Sequence, residues 1–259
     1  MKNYSLILFA ALCISGCVNN TKKTPEKRGK FKIENIHLDT TRFITYQDSV
    51  YPDIKVEYLK FTDESDFSKN VNKKINEDLT EIFNDALQEG TPEAEDIQGA
   101  VNAFAEDYFT FKEQHPDAAP VYEAFTEQEI VNQNQRTVVL KTDFYLYMGG
   151  AHGYNGIHFL NFDAESGNYL SQSDLIADIS GFTGFAEEKF REKYEIPSDT
   201  DLNAAGFFFE DGKFALPENI AFGDDQIILL YNPYEAASYA QGKLRLILPK
   251  NEVEEWLTY

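Results

Sequence analysis

The chain has 259 residues, of which 42% are hydrophobic, and its 23 basic and 44 acidic residues give a formal net charge of −21 at pH 7. A surface of this charge repels nucleic-acid phosphates and anionic lipid headgroups, so it excludes a nucleic-acid partner and leaves membrane attachment to a lipid anchor. The same charge attracts cationic partners and speeds their encounter, although acidity can also serve solubility alone.

The first seventeen residues have the layout of a bacterial export signal. Lys2 precedes an apolar run at 6–14, which is shorter than the roughly 20 apolar residues of a membrane-spanning helix. The run ends in Ile-Ser-Gly-Cys, which resembles the box where a lipoprotein signal is cleaved before the cysteine that receives the lipid. We therefore predict a signal peptide at 1–16, lipidation at Cys17 and a lipid-anchored location in the cell envelope, at the outer membrane or cell surface of a Gram-negative organism. An ordinary secretory signal with an incidental cysteine is the alternative.

A short polar segment follows the cysteine. Residues 18–30 are polar and basic and contain almost no apolar side chains, so they cannot bury a core. We predict a flexible tether at 17–30. The other cysteine, Cys13, lies in the excised segment, so the mature domain is expected to lack disulfides, thiolate metal sites and a cysteine nucleophile.

The next block, 31–120, changes from strand to helix periodicity. Apolar residues alternate in its first part and then recur at three- and four-residue steps, with polar residues such as Asp78 assigned to the opposite face. The predicted elements are strands at 31–38 and 54–61, a helix from Asp66 that Gly90 and Pro92 end, and a helix from Ile97 that stops near His115-Pro116.

From residue 121 onward the pattern is mainly that of strands. The predicted elements are strands at 121–131, 136–148, 157–162, 226–230 and 243–248, a helix with Phe182, Phe185, Phe190 and Tyr194 on one face, a hairpin at 207–216 and a terminal helix at 252–257. The strand at 136–148 is nearly continuous in apolar residues and is expected to be buried on both faces. The order predicts an α+β fold, with N-terminal strands plus two helices and then a mainly antiparallel sheet with one or two helices. We place the domains at 31–120 and 121–259.

Motifs for known catalytic chemistry are missing from the sequence. It contains no Gly-x-Ser-x-Gly elbow, no His-Glu-x-x-His and no phosphate-binding loop. His152, His158 and Asp163 are spaced unlike any metal-binding motif, so we predict no metal site, no cofactor and no assigned catalytic residue. Acidic residues such as Glu235 could form accidental pairs, but a solvated surface position is the simpler interpretation.

Tyrosines cluster around two loops, at 149–154 and 231–242. Tyrosine rings in loops offer flat amphipathic surfaces with a hydroxyl group, which suits sugars or a protein partner. Alternatively, they pack against the sheet and cap it. The predicted binding residues are Gly149, Gly150, His152, Tyr154, Tyr231, Tyr234 and Tyr239.

The same two loops carry a family resemblance. Gly-Gly-Ala-His at 149–152, Phe-Asp-x-x-x-Gly at 162–167 and Leu-x-x-x-Asp-Leu at 170–175 resemble the extracytoplasmic domain of RsiV-type anti-sigma factors. Tyr-Asn-Pro-Tyr-x-x-x-x-Tyr-Ala-x-Gly at 231–242, with Leu-Pro at 248–249, resembles the C-terminal signature of that domain.

The block at 31–120 is similar to the domain of unknown function that precedes the deacetylase of PdaC-type proteins. The resemblance implies an α+β fold and a binding role, because the RsiV domain binds lysozyme, a cationic wall hydrolase, and an acidic domain suits such a partner. The sigma-binding segment, the spanning helix and the deacetylase domain of these relatives are not found, so we expect neither signal relay nor deacetylation.

The leading hypothesis is a lipid-anchored envelope protein, more a binding module than an enzyme, whose two loops bind a lysozyme-like protein or peptidoglycan fragments. One alternative is an envelope hydrolase that acts on wall glycan or peptide through an acid pair or His152. Another is a structural envelope protein without a small ligand, which burial of His152, Tyr231, Tyr234 and Tyr239 would support.

Overall fold

The computed structural model describes residues 31–39, 51–118 and 121–258. The predicted signal peptide, tether and lipidated Cys17 lie outside this range. The described elements are β1 (Ile33–Asp39), β2 (Asp53–Phe61), α1 (Asp66–Asn84), α2 (Ile97–Gln114), β3 (Glu123–Gln133), β4 (Thr137–Tyr147), β5 (Tyr154–Asp163), α3 (Gln172–Leu175), α4 (Ile179–Lys193), β6 (Ile220–Phe222), β7 (Gln226–Tyr231), β8 (Leu244–Pro249) and α5 (Lys250–Val253).

Two sheets organise these elements. The first has the order β1-β2-β3-β4-β5 and is antiparallel except for the parallel pair β2 and β3. A parallel pair requires a crossover connection, which α1 and α2 supply. The second sheet, β6-β7-β8, is antiparallel. The predicted α+β fold class is confirmed.

The first hydrophobic core lies between the larger sheet and the two long helices. Helix α1 begins after Ser65, whose side chain accepts a hydrogen bond from Ser68 N–H, and its fully buried residues include Val71 and Leu79. Strand β4 is buried on both faces only over Thr137–Leu140, after which buried and half-buried residues alternate. The expectation of a doubly buried strand is therefore right for its first part alone.

The second core is rich in phenylalanine and surrounds Phe190 of α4. The hairpin predicted at 207–216 is wrong, because this segment contains a short 3-10 helix at Glu210–Gly212 and no strand. Phe207, Phe209 and Phe214 all pack around the Phe190 ring instead of alternating between two faces, so a strand pattern could not place them. Strand β6 was missed because it has only three residues.

Asparagine side chains join the second core to the free edge of β5. Asn232 Oδ1 accepts from Ile157 N–H at 2.9 Å, and Asn219 Oδ1 accepts from Phe159 N–H at 2.7 Å. Both side-chain amides also donate to the Ile157 carbonyl. We call Asn219 and Asn232 the asparagine clasp. It satisfies edge groups that would otherwise remain unpaired and fixes two loops beside β5.

The described residues from Phe31 onward form one compact unit. Within it, the chain passes from the first core to the second between residues 164 and 170. The domain boundary near residue 120 stays a prediction. In the part of the chain described here, no helix combines the length and the apolar character needed to cross a lipid bilayer.

Candidate functional site

The two loops singled out by the sequence lie side by side. The His152 ring stacks on the Tyr239 ring, with centroids 3.8 Å apart and planes 13° apart. Tyr234 completes the group, because its hydroxyl lies 3.4 Å from His152 Nε2 and its ring centroid lies 5.7 Å from that of Tyr239. We call His152, Tyr234 and Tyr239 the aromatic platform. His152 and Tyr234 are exposed and Tyr239 is half-buried, so the platform faces solvent.

The loop between β4 and β5 is shaped by its glycines. Gly150 has a φ of +88°, a left-handed conformation that favours glycine. Gly153 is needed for space instead, since an added Cβ would lie 2.5 Å from the Tyr145 ring. His152 follows this tight path, and its Nδ1–H donates to the Gly153 carbonyl at 3.0 Å. The loop conformation thereby fixes the ring against Tyr239.

Tyr234 projects into solvent from a strained turn. Its φ is +71°, a region that costs a bulky residue conformational energy. The turn is closed by hydrogen bonds from Tyr234 N–H to the Ala237 carbonyl at 3.0 Å and from Glu235 N–H to the Asn232 carbonyl at 3.1 Å. Its side chain is 55% exposed. The strained backbone therefore holds an aromatic ring on the surface, as is common at functional sites.

A cleft of about 950 Å³ opens beside the platform, between α1, β5 and the loops that carry the asparagine clasp. This volume lies within the range of small-molecule sites. His152, Gly149 and Tyr154 line the cleft at the platform end. Its five carboxylates are Asp78 and Glu81 from α1, Asp85 at the C-terminal end of that helix, and Glu218 and Glu235 from the loops. Lys74 is the one Lys or Arg among the described lining residues, so the cleft is strongly acidic.

A histidine–aspartate pair lies within the cleft. His158 Nδ1 donates to Asp78 Oδ1 at 2.8 Å, and Asp78 is only 5% exposed. Thr142 Oγ1 also donates to Asp78, at 3.4 Å, and Gln128 Nε2 donates to Thr142 Oγ1 at 3.0 Å. This chain of contacts fixes the carboxylate, which in turn orients the imidazole. His158 Nε2 remains the nitrogen that can exchange a proton.

The cleft shifts the pKa values of His158 and Glu235. Burial lowers the pKa of His158, but the hydrogen bond to Asp78 and the nearby carboxylates outweigh burial, so the pKa lies above its usual value. Loss of solvent around its carboxyl raises the pKa of Glu235, although the residue as a whole remains exposed, and the hydrogen bond from Asn232 N–H partly offsets this effect.

The structure brings together most of the predicted binding residues. His152, Tyr234 and Tyr239 form the platform, while Gly149, Gly150 and Tyr154 belong to the loop and cleft beside it. Tyr231 requires a correction, because it is only 2% exposed and its hydroxyl donates to the Ala215 carbonyl at 2.7 Å inside the second core. It cannot contact a ligand and belongs to the core.

Sequence reasoning missed the residues of the cleft. Asp78 was assigned to the solvent face of α1, yet it lies three residues after Ile75 and four before Ile82, which is the spacing of the buried face. His158 was a polar residue within an apolar strand, which is a second usable signal. Glu235 is exposed, as expected for a solvated position, and it also lines the cleft.

No group of three His, Cys, Asp or Glu side chains suited to a metal ion occurs among residues 31–39, 51–118 and 121–258. The three residues considered for such a site have separate partners. His158 pairs with Asp78, His152 with Gly153 and Tyr239, and Asp163 accepts from Ser166 N–H at 2.7 Å within its turn.

Family comparisons match both parts of the chain. The family described as Deacetylase PdaC matches residues 45–155, and the family described as Protein of unknown function (DUF3298) matches residues 173–251. The predicted PdaC-type domain is therefore found in the N-terminal part, followed by a DUF3298 domain. The RsiV-type identity of the C-terminal part stays a prediction.

Individual relatives agree with these matches. The chain is 21% identical over 260 aligned positions to the peptidoglycan-N-acetylmuramic acid deacetylase PdaC of Bacillus subtilis strain 168, covering 97% of this chain and 50% of PdaC. The chain thus spans about half the length of this curated relative. Crystal structures of DUF3298 proteins from Bacteroides fragilis NCTC 9343 and Pseudomonas aeruginosa PAO1 are each 18% identical, with TM-scores of 0.67 and 0.62. Each alignment covers 89% of this chain and 95% of the other, and shows a shared fold.

Proposed function

We propose that the chain is a lipid-anchored protein of the cell envelope that binds peptidoglycan fragments at the aromatic platform and the adjacent cleft. The observation that carries the proposal is the exposed stack of His152 and Tyr239, with Tyr234, at the mouth of a cleft of about 950 Å³. The similarity to a protein named as a peptidoglycan deacetylase supports an envelope role.

The platform suits a sugar ring in two ways. Its aromatic faces offer apolar area to the C–H groups of a sugar, and the tyrosine hydroxyls and the imidazole offer hydrogen-bonding groups at the edges. The cleft continues from the platform because His152 belongs to both. A glycan chain lying on the rings could therefore extend a substituent into the cleft.

A lysozyme-like cationic protein is the second ligand that the charges favour. The net charge of −21 and the five cleft carboxylates would attract such a protein and accept its Lys or Arg side chains. In that complex the platform would contribute aromatic contacts at the interface.

An envelope hydrolase is the alternative function, and the His158–Asp78 pair is the observation that favours it. A carboxylate-oriented imidazole can act as a general base. His152 is the weaker candidate for this role, because among the described residues its ring nitrogens contact the Gly153 carbonyl and the Tyr234 hydroxyl instead of a carboxylate. Turnover of purified wall by the soluble domain, abolished by His158→Gln and retained in His37→Gln, would support the hydrolase; His37 pairs with Glu57 away from the cleft.

The binding function is tested by titrating residues 31–259 with soluble peptidoglycan fragments and with hen-type lysozyme at two salt concentrations. We expect binding that the double variant His152→Ala/Tyr234→Ala loses while its thermal unfolding stays cooperative. Phe208→Ala, which removes an aromatic ring that is 54% exposed and outside the cleft lining, is the matched control and should bind normally. Unchanged binding by the double variant would refute the site.

A further inference from the structure

Two chemically different surfaces meet at this site. The aromatic platform offers ring faces, and the cleft offers carboxylates. Tyr234 and Glu235 are consecutive, and the positive φ of Tyr234 turns its ring to solvent while Glu235 lines the cleft. One short turn therefore presents a ring to solvent and a carboxylate to the cleft.

Four of the five cleft carboxylates form no ion pair with Lys or Arg in the part of the chain that the structure describes, and the His158 imidazole, paired with Asp78, is a nearby group that can carry a positive charge. Among the residues that the structure describes, no Lys or Arg nitrogen lies within 4 Å of the carboxylates of Glu81, Asp85, Glu218 or Glu235. Lys74 does not neutralise them, because its Nζ lies 3.8 Å from Glu77 and 4.9 Å from the centroid of the Tyr169 ring. A ligand that brings a positive charge would relieve this mutual repulsion.

The negative charge of the cleft determines which glycans bind well. A sugar with an acetamido group is neutral at that position, whereas a sugar with a free amine carries an ammonium with three donors. Hydrogen bonds between an ammonium and carboxylates are stronger than those of a neutral amide. The reaction named for the related PdaC, removal of an acetyl group from an N-acetylated sugar, leaves such an amine on its product.

We propose that the site binds glycans that carry free amino groups, with a sugar ring on the aromatic platform and its ammonium against Glu235 and the neighbouring cleft carboxylates. This inference rests on the proposed glycan-binding function and narrows its ligand to amino sugars. A deacetylation step must then precede binding, because it creates the recognised group.

The test compares two oligosaccharides that differ only in acetylation. Residues 31–259 are titrated by calorimetry at pH 6, where the sugar amines are largely protonated, with a β-1,4-linked tetramer of glucosamine and with the corresponding tetramer of N-acetylglucosamine. We expect the glucosamine tetramer to bind at least about tenfold more tightly, which corresponds to about 1.4 kcal/mol. Added salt should weaken binding of the glucosamine tetramer and leave that of the acetylated tetramer unchanged.

Substitutions of the cleft carboxylates test which residues bind the amine. Glu235→Gln keeps an oxygen that can accept from Asn232 N–H, and it should lower glucosamine binding roughly fivefold to tenfold while leaving the acetylated tetramer unaffected. Glu218→Gln is a second variant at the same cleft, should Glu235→Gln unfold. Glu34→Gln, an exposed acid on β1, is the control and should bind like the unsubstituted protein.

The outcomes separate the two proposals. Equal affinity for both tetramers would overturn the amino-sugar inference and leave glycan binding intact. Binding of neither tetramer, together with no binding of peptidoglycan fragments, would refute both proposals. Tighter binding of the glucosamine tetramer that survives Glu235→Gln and Glu218→Gln would place the amine outside this cleft and would also overturn the inference.

Discussion

The two walls of the cleft differ in how they are built. One wall is helix α1, where Asp78 is buried and held by His158 and Thr142. The opposite wall consists of loops that carry Glu218 and Glu235, which are held to β5 by the asparagine clasp. A helix wall depends on the first core, whereas a loop wall depends on a few hydrogen bonds and on the second core. The comparison indicates that the loop wall is the more vulnerable to single substitutions.

The largest expected loss of stability comes from a substitution at the centre of the second core. Phe190→Ala deletes a fully buried ring that packs against Phe207, Phe209 and Phe214, and it should cost about 3–5 kcal/mol of unfolding free energy. Chemical denaturation measures the loss. Phe208→Ala, on a ring that is 54% exposed, should change stability by less than about 0.5 kcal/mol. Similar losses in both variants would contradict the assigned core.

The asparagine clasp offers the next largest effect. Asn232→Leu keeps the side-chain size but leaves Ile157 N–H without its partner, which should cost about 1–3 kcal/mol. Ligand binding should fall together with stability, because the Asn232 side chain holds the turn that carries Glu235 against β5. Asn102→Leu on the exposed face of α2 is the control. A clasp variant with normal stability and binding would show that the loop wall does not depend on Asn232.

The pH dependence of stability tests the helix wall. Because the pKa of His158 is raised above its ordinary value of 6.5, the folded state holds this proton more tightly than the unfolded chain does. The resulting stabilisation is fully present below pH 6.5 and disappears as the pH rises through the raised pKa. Between pH 6 and pH 9, the unsubstituted protein should therefore lose more stability than His158→Gln does.

Denaturation at several pH values measures this difference, and His37→Gln is the matched control. Parallel pH profiles for the unsubstituted protein and His158→Gln would show that the His158–Asp78 pair does not stabilise the folded state.

The smallest effect concerns the strained turn. Tyr234→Gly relieves a φ of +71° and should raise the unfolding free energy by up to about 1 kcal/mol, while it removes an exposed ring from the aromatic platform. Thermal unfolding and ligand titration together measure the two effects. Lower stability in Tyr234→Gly would indicate that the ring contributes packing that its exposure does not suggest.

The sequence predicts one side of this site better than the other. Periodicity placed α1, α2 and most strands because long apolar patterns determine which faces are buried, and the loop motifs correctly brought His152 near Tyr234 and Tyr239. The pairing of Asp78 with His158 joins residues 80 positions apart, and local patterns carry no information about such contacts. The hairpin prediction for 207–216 was wrong for a related reason, since the rings of this segment all pack against one distant residue, Phe190.

Ligand binding at the aromatic platform and the cleft is tested most directly by a map of ligand contacts. Backbone NMR shifts of residues 31–259 are recorded during titration with soluble peptidoglycan fragments. We expect the largest changes at His152, Tyr234, Glu235 and Tyr239, extending along the cleft to His158. Changes confined to other surfaces, such as the groove between the two sheets around Asp224 and Arg245, would contradict this expectation.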